Sequence, residues 1–183
     1  MRTAGFAWSL LLATLIGGCA TVPDDSSVVE KLDSDTGLTV ARLGRPLELY
    51  RETGAKDTSG KFAFFGPFET NQMGSRDLYL WIAIPSEIGE NEPTPAIELD
   101  GKPLELGAGS RSADFAGLTK SPYKIPTPWS AMYYFKIDAN LLAKIGAAGD
   151  IAIGYTEPSR DGVVKARYSG KVIDARLRDF AAR

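Results

Sequence analysis

The segment Trp129 to Ile137 sets Trp129, Ala131, Tyr133, Phe135 and Ile137 on one parity and Ser130, Met132, Tyr134 and Lys136 on the other. Period two is the spacing of a β-strand, whose successive side chains point to opposite faces. The pattern recurs along the chain in short stretches divided by Gly, Pro, Asn and Asp, and this constrains the fold more than any other feature. Leu38 to Leu43 and Leu47 to Tyr50 are separated by Gly44 and Pro46. Phe62 to Thr70 follows, interrupted at Gly66-Pro67, where a bulge or an edge position is expected because proline cannot donate to a ladder. A turn at Asn71 to Gly74 leads into Asp77 to Ile84, apolar on both parities and so expected at the centre of its sheet.

Further along, Ile97 to Leu106 predicts a hairpin about Asp100-Gly101, a pair that supplies the positive φ angles of a tight turn. Ile151 to Thr156 and Val163 to Tyr168 predict two more strands, joined by a turn at Arg160-Asp161-Gly162. Asp138 is placed to cap a short helix over 139–147 carrying Leu141, Leu142 and Ile145. Ile173, Leu177 and Phe180 recur at helical spacing near the C-terminus. These signals predict a mainly-β chain, an antiparallel β-sandwich of immunoglobulin-like outline with two short helices. A partly closed barrel is the alternative.

The chain contains no histidine. That removes the Ser-His-Asp and Cys-His nucleophile pairs and any zinc or iron site built on imidazole. An enzyme here would depend on carboxylates, lysine, tyrosine or serine, and none of these forms a convincing catalytic set. The expectation is a non-enzymatic protein with no cofactor and no metal. The net charge of −2 carries no clustered basic excess, so no nucleic-acid partner is expected.

The N-terminus reads as an export signal: one cation at Arg2, an apolar run from Phe6 to Ile16, then Gly17 and Gly18. The run is too short to span a bilayer, which takes about 20 residues. Ile16-Gly17-Gly18-Cys19 resembles the lipobox of bacterial lipoproteins, in which an aliphatic and two small residues precede a cysteine that is lipidated and becomes the mature N-terminus. Cys19 is the only cysteine, so no intramolecular disulfide can form. The resemblance implies residues 1–18 as signal peptide, a diacylglycerol thioether at Cys19, and stable anchoring, because two or more chains hold where one does not. In enterobacterial lipoproteins an Asp after the cysteine retains the protein at the inner membrane. Ala20 stands there instead, which implies the periplasmic face of the outer membrane. Residues 19–31, small and acidic without periodicity, are expected to be a flexible tether reaching about 20 Å, with a single domain over 32–183. The domain is similar in pattern to small β-rich envelope lipoproteins, for which an envelope protein partner is expected.

Several segments invite a functional reading. Gly107 to Pro128 is the longest stretch without periodicity, holding Arg111, Asp114, Lys120 and Tyr123 and stiffened by Pro122, Pro126 and Pro128. Long loops are often functional, although a plain connection between sheets explains it as well. Ser121-Pro122-Tyr123-Lys124 matches the Ser-x-x-Lys of penicillin-recognising acyl enzymes, but Pro122 denies it the necessary helix. Asp35-Thr36-Gly37 resembles the aspartic-protease triplet, yet polar Asp33 and Ser34 precede it where that family has an apolar strand, so a turn is expected. Asp33-x-Asp35 opens like a calcium loop and fails at its closing position, Gly44. The aromatics Tyr79, Trp81, Trp129, Tyr133, Tyr134 and Phe135 are expected in the core. If one aromatic face were open, it would be that of Tyr79 and Trp81, and Tyr79, Trp81, Arg111 and Tyr123 are the candidate ligand-binding residues. The alternative function is therefore a module binding glycan, lipid or peptide, or a hydrolase using a carboxylate pair on envelope glycans.

Overall fold

A computed structural model describes residues 28–51, 62–85, 95–124, 130–159, 162–171 and 175–183. The signal segment, Cys19, Pro126, Pro128, Trp129 and the Arg160-Asp161 part of the last predicted turn lie outside the described residues. In chain order the strands are β1 (Val28–Leu32), β2 (Thr39–Leu43), β3 (Leu47–Arg51), β4 (Phe62–Gln72), β5 (Ser75–Pro85), β6 (Ala96–Leu99), β7 (Lys102–Leu104), β8 (Gly109–Ser110), β9 (Ser130–Ile137), β10 (Asp150–Ser159) and β11 (Gly162–Lys171). The helices are α1 (Ala139–Ala147) and α2 (Ala175–Ala181). The chain is mainly β, antiparallel throughout its described pairings, with two short helices where they were expected.

A long hairpin joins β4 to β5, in register from Phe64↔Ala83 to Gln72↔Ser75. Its tip is Met73-Gly74, both at positive φ, and Asn71 Oδ1 accepts the Gly74 N–H at 3.0 Å. On its other side β5 pairs with β9, Leu78↔Ile137 to Pro85↔Ser130. The strand that is apolar on both parities is thus central.

The far edge of β4 is shared between two partners. Its first half pairs with β3, Tyr50↔Phe62 to Leu47↔Phe65, and its second half with β2, Arg42↔Phe68 to Thr39↔Asn71. Gly66 and Pro67 fall between the two pairings, where the sheet branches. Proline is tolerated there because neither neighbouring strand claims its missing N–H. One branch continues through β2 to β1, and the other runs β3, β11, β10, β6, β7.

All eleven described strands belong to one hydrogen-bonded sheet, so the arrangement is a single curled, branched sheet where two stacked sheets were expected. Tyr155 on β10 donates its hydroxyl proton to the Pro85 carbonyl at the end of β5, at 2.7 Å. Three strands separate β10 from β5 in the sheet order, and only strong curvature brings them together. Tyr155 also stacks on the fully buried Tyr168, with ring centroids 5.9 Å apart.

The hollow is filled by Leu43, Leu49, Phe65, Leu80, Ile82, Phe135, Ile151 and Ile153, and α1 and α2 add Leu142, Ile145, Leu177 and Phe180 to the same cluster. Asp138 caps α1 as predicted, its Oδ1 accepting the Leu141 N–H at 2.6 Å. Glu69, on the parity of Ala41 and Leu78, is 9% exposed. Its carboxylate receives both Nε and Nη2 of Arg76, at 2.8 and 2.7 Å, a two-point charge-assisted pair that compensates its burial.

The last residues of the span expected as a tether, 28–31, lie in a strand. Val28 to Leu32 forms β1, paired with β2 from Val28↔Leu43 to Leu32↔Thr39. Its residues are half-buried or exposed, so the apolar alternation by which a strand is recognised is missing.

Candidate functional site

β5 needs cover on both faces, and the segment from Gly107 to Lys124 supplies one of them. It begins with the short β8 on the free side of β9, passes a 3-10 turn at Ala113–Ala116 capped by Ser112, and then crosses the sheet face that carries Phe68, Tyr79 and Trp81. Phe115 meets Tyr79 edge-on at 6.2 Å, and Tyr123 packs on Trp81 at 5.0 Å. The tail of this strap touches the β1–β2 turn, where Lys120 Nζ lies 3.5 Å from Asp35 Oδ2.

The candidate ligand-binding residues are corrected by this packing. Tyr79 is 5% exposed, Trp81 0% and Tyr123 2%, so these rings serve as core and present no face to a ligand. Arg111 is exposed, with its guanidinium 5.8 Å over the Tyr133 ring. Tyr79, Trp81 and Tyr123 come together, but as packed core, and Arg111 stands apart over Tyr133. The long loop is largely a lid fixed on the sheet, because an apolar second face of β5 cannot be left in water.

Tyr123 has a specific post at the branch point. Its hydroxyl donates to the Pro67 carbonyl and accepts the Leu43 N–H at 3.2 Å, joining β4 to the end of β2 just past their last paired position, Arg42↔Phe68. The ring lies on Gly66 so closely that a Cβ at that position would come within 2.7 Å of it. Arg42 covers the ring from 5.4 Å and donates Nη1 to the carbonyls of Leu43 and Gly44, each at 2.8 Å. Burial pushes the Tyr123 phenol well above its ordinary range, partly offset by the Leu43 N–H and by the charge of Arg42.

The other two motifs resolve into turns. Asp33 and Gly37 close the β1–β2 hairpin, the Gly37 N–H donating to the Asp33 carbonyl at 2.7 Å. Lys124 points into solvent while Tyr123 is buried, so Ser121-x-x-Lys124 has no helical frame.

A polar site emerges elsewhere, on the convex side of the second branch. Direct cross-strand pairs place Phe62, Tyr50, Ser169, Ala152, Glu98 and Pro103 in one row across β4, β3, β11, β10, β6 and β7. Residues directly opposite in antiparallel strands share a face, with Cβ atoms about 5 Å apart. Arg167 and Asp150, each two residues from a member of the row, share that face as well. Between them lies an open hollow of about 170 Å3 lined by Gly101, Asp150, Ile151, Ala152, Arg167 and Ser169.

Its borders are defined by chemistry as well as shape. Next to the lining, directly opposite Ser169 in the neighbouring strand, Tyr50 is 58% exposed, its ring braced edge-on by Phe62 at 5.1 Å. Arg167 Nη2 donates to Glu98 Oε2 at 2.9 Å, with both side chains about 40% exposed. The rim is held by the β6–β7 turn, where Asp100 and Gly101 take φ of 48° and 74°. Asp100 Oδ1 accepts the N–H groups of both Gly149 and Asp150, each at 2.9 Å.

Sequence reading missed this row, because each of its members is an unremarkable position on a separate strand. The only local trace is the alternation of Arg167 and Ser169 with Tyr168, which marks a half-exposed strand but not its neighbours. No protein-family model, curated protein or solved structure matches this chain.

Proposed function

We propose that the chain is a cell-envelope lipoprotein, anchored through lipid on Cys19 to the periplasmic face of the outer membrane, whose β domain is a non-enzymatic binding module. The anchor rests on Ile16-Gly17-Gly18-Cys19 and the export pattern before it. The binding role rests on one observation: the row from exposed Tyr50 to half-buried Glu98, with its hollow, brings together an aromatic ring, a guanidinium, carboxylates and a hydroxyl on paired strands. Convergent polar groups held on paired strands can orient a ligand.

The start of β1 limits where the module works. Val28 follows Cys19 by nine residues, and nine residues span no more than about 30 Å in any conformation. The domain therefore stays near the headgroups of its own membrane.

Two measurements test the reading. Cys19→Ala should leave the protein out of the membrane fraction or unprocessed, and an unchanged membrane fraction would overturn the anchor. Affinity capture from membranes, with Cys19→Ala as the control, should recover a reproducible envelope component. Failure to retain any component, macromolecular or saccharide, would overturn the binding module.

A further inference from the structure

We propose that the hollow beside Tyr50 is a saccharide site that takes one neutral pyranose ring of an envelope glycan chain. The proposal deepens the binding-module reading and rests on it. A pyranose has an apolar C–H face and a rim of hydroxyls that each donate and accept hydrogen bonds. Tyr50 offers a flat, amphipathic ring of large contact area, already braced by Phe62. Within the lining Arg167 supplies donors, Asp150 acceptors and Ser169 both, and Glu98 adjoins it through its pair with Arg167.

The shape agrees with the chemistry. Ser169 and Ala152 are the low residues of the row, so the floor lies between the taller Tyr50 and the Arg167–Glu98 pair. At about 170 Å3 the hollow is smaller than the roughly 300–1,000 Å3 of pockets that engulf a drug-sized ligand. It is also open, which suits one ring of a chain whose neighbours remain in solvent. Arg167 is already paired with Glu98 at 2.9 Å, which weakens its pull on a polyanion and leaves a neutral ligand as the match.

The test uses the full-length mature protein with chitotetraose, cellotetraose and maltotetraose as probes, followed by saturation-transfer NMR and calorimetry. At least one probe should receive saturation and bind. Tyr50→Ala should weaken that binding by at least tenfold, Tyr50→Phe should keep it within about twofold, and Arg167→Ala should weaken it several-fold. Tyr50 is largely exposed, so its variants should keep the wild-type melting temperature, which reports that the sheet is intact. Binding of none of the three probes, or equal binding by Tyr50→Ala, would overturn the saccharide site. If capture recovers a protein partner whose retention is indifferent to Tyr50→Ala while the sugars fail, the saccharide site falls and the binding module stands.

Discussion

Tyr123 ties the end of β2 to β4 at the point where the sheet branches. Removing only its hydroxyl, in Tyr123→Phe, leaves the Leu43 N–H and the Pro67 carbonyl buried without that partner. Orphaned buried groups cost about 1–3 kcal/mol, and for a chain of this size each kcal/mol lowers Tm by about 2–4 °C. Thermal unfolding of Tyr123→Phe should show that loss. The same residue gives an alkaline signature. Because burial holds the phenol protonated in the folded chain, the unfolded chain loses its proton first, above about pH 10. Stability from this group is complete below that pH and declines as pH rises beyond it. Tyr79 and Tyr134, also raised by burial, contribute in the same direction. Urea titrations at increasing pH should give a shallower decline for Tyr123→Phe than for wild type. Gly66→Ala probes the other side of the contact: its Cβ would meet the Tyr123 ring at 2.7 Å, an overpacking worth about 1–3 kcal/mol. In a Tyr123→Ala background the ring is gone, so the cost of Gly66→Ala should shrink. A double-mutant cycle that returns additive effects would show that the two do not press on each other.

At the scale of elements, short strands are held by their turns. The β6–β7 hairpin has only three paired positions, Ile97↔Leu104 to Leu99↔Lys102. Asp100 stabilises it twice, by taking the left-handed conformation and by accepting two N–H groups at the start of β10. Asp100→Ala removes both acceptor bonds and should cost about 1 kcal/mol. Asp100→Asn keeps an acceptor and tolerates positive φ, so its loss in a denaturant titration should be less than half as large. The same pair informs the hollow: if its rim depends on this clamp, Asp100→Ala should weaken saccharide binding and Asp100→Asn should largely restore it.

At the scale of the molecule, a curled sheet must be closed by something other than its strands. α2 contributes Leu177, fully buried, and Phe180, 3% exposed, to the cluster that includes Leu142 and Ile145 of α1. Arg183 reaches Glu30, so the C-terminal end is also tied to β1. Phe180→Ala should therefore cost about 3–5 kcal/mol, the range for a buried aromatic, in global unfolding and not as fraying of the last turn. A variant that melts cooperatively at the wild-type temperature would show that α2 is an appendage.

The sequence by itself determined the local facts. Parity marked β4, β5, β9 and β10, the doubly apolar run of β5 marked the sheet centre, and Asp138, Asp100-Gly101 and Asn71 to Gly74 marked a cap and two turns. Each is encoded within a few consecutive residues, because strand parity, helix capping and turn conformation are local preferences. Tertiary structure decided what depends on register between distant segments. β1 has too little apolar alternation to be seen before β2 pairs with it. The branch at Gly66-Pro67 exists only because β2 and β3 share one edge of β4, and Tyr123 finds its partners 56 and 80 residues away. The burial of Tyr79 and Trp81 was settled by the strap that covers them. The row from Tyr50 to Glu98 was settled by pairings across several strands. Side-chain neighbours across a sheet are fixed by which strands meet and in what register, and no window of consecutive residues contains that information.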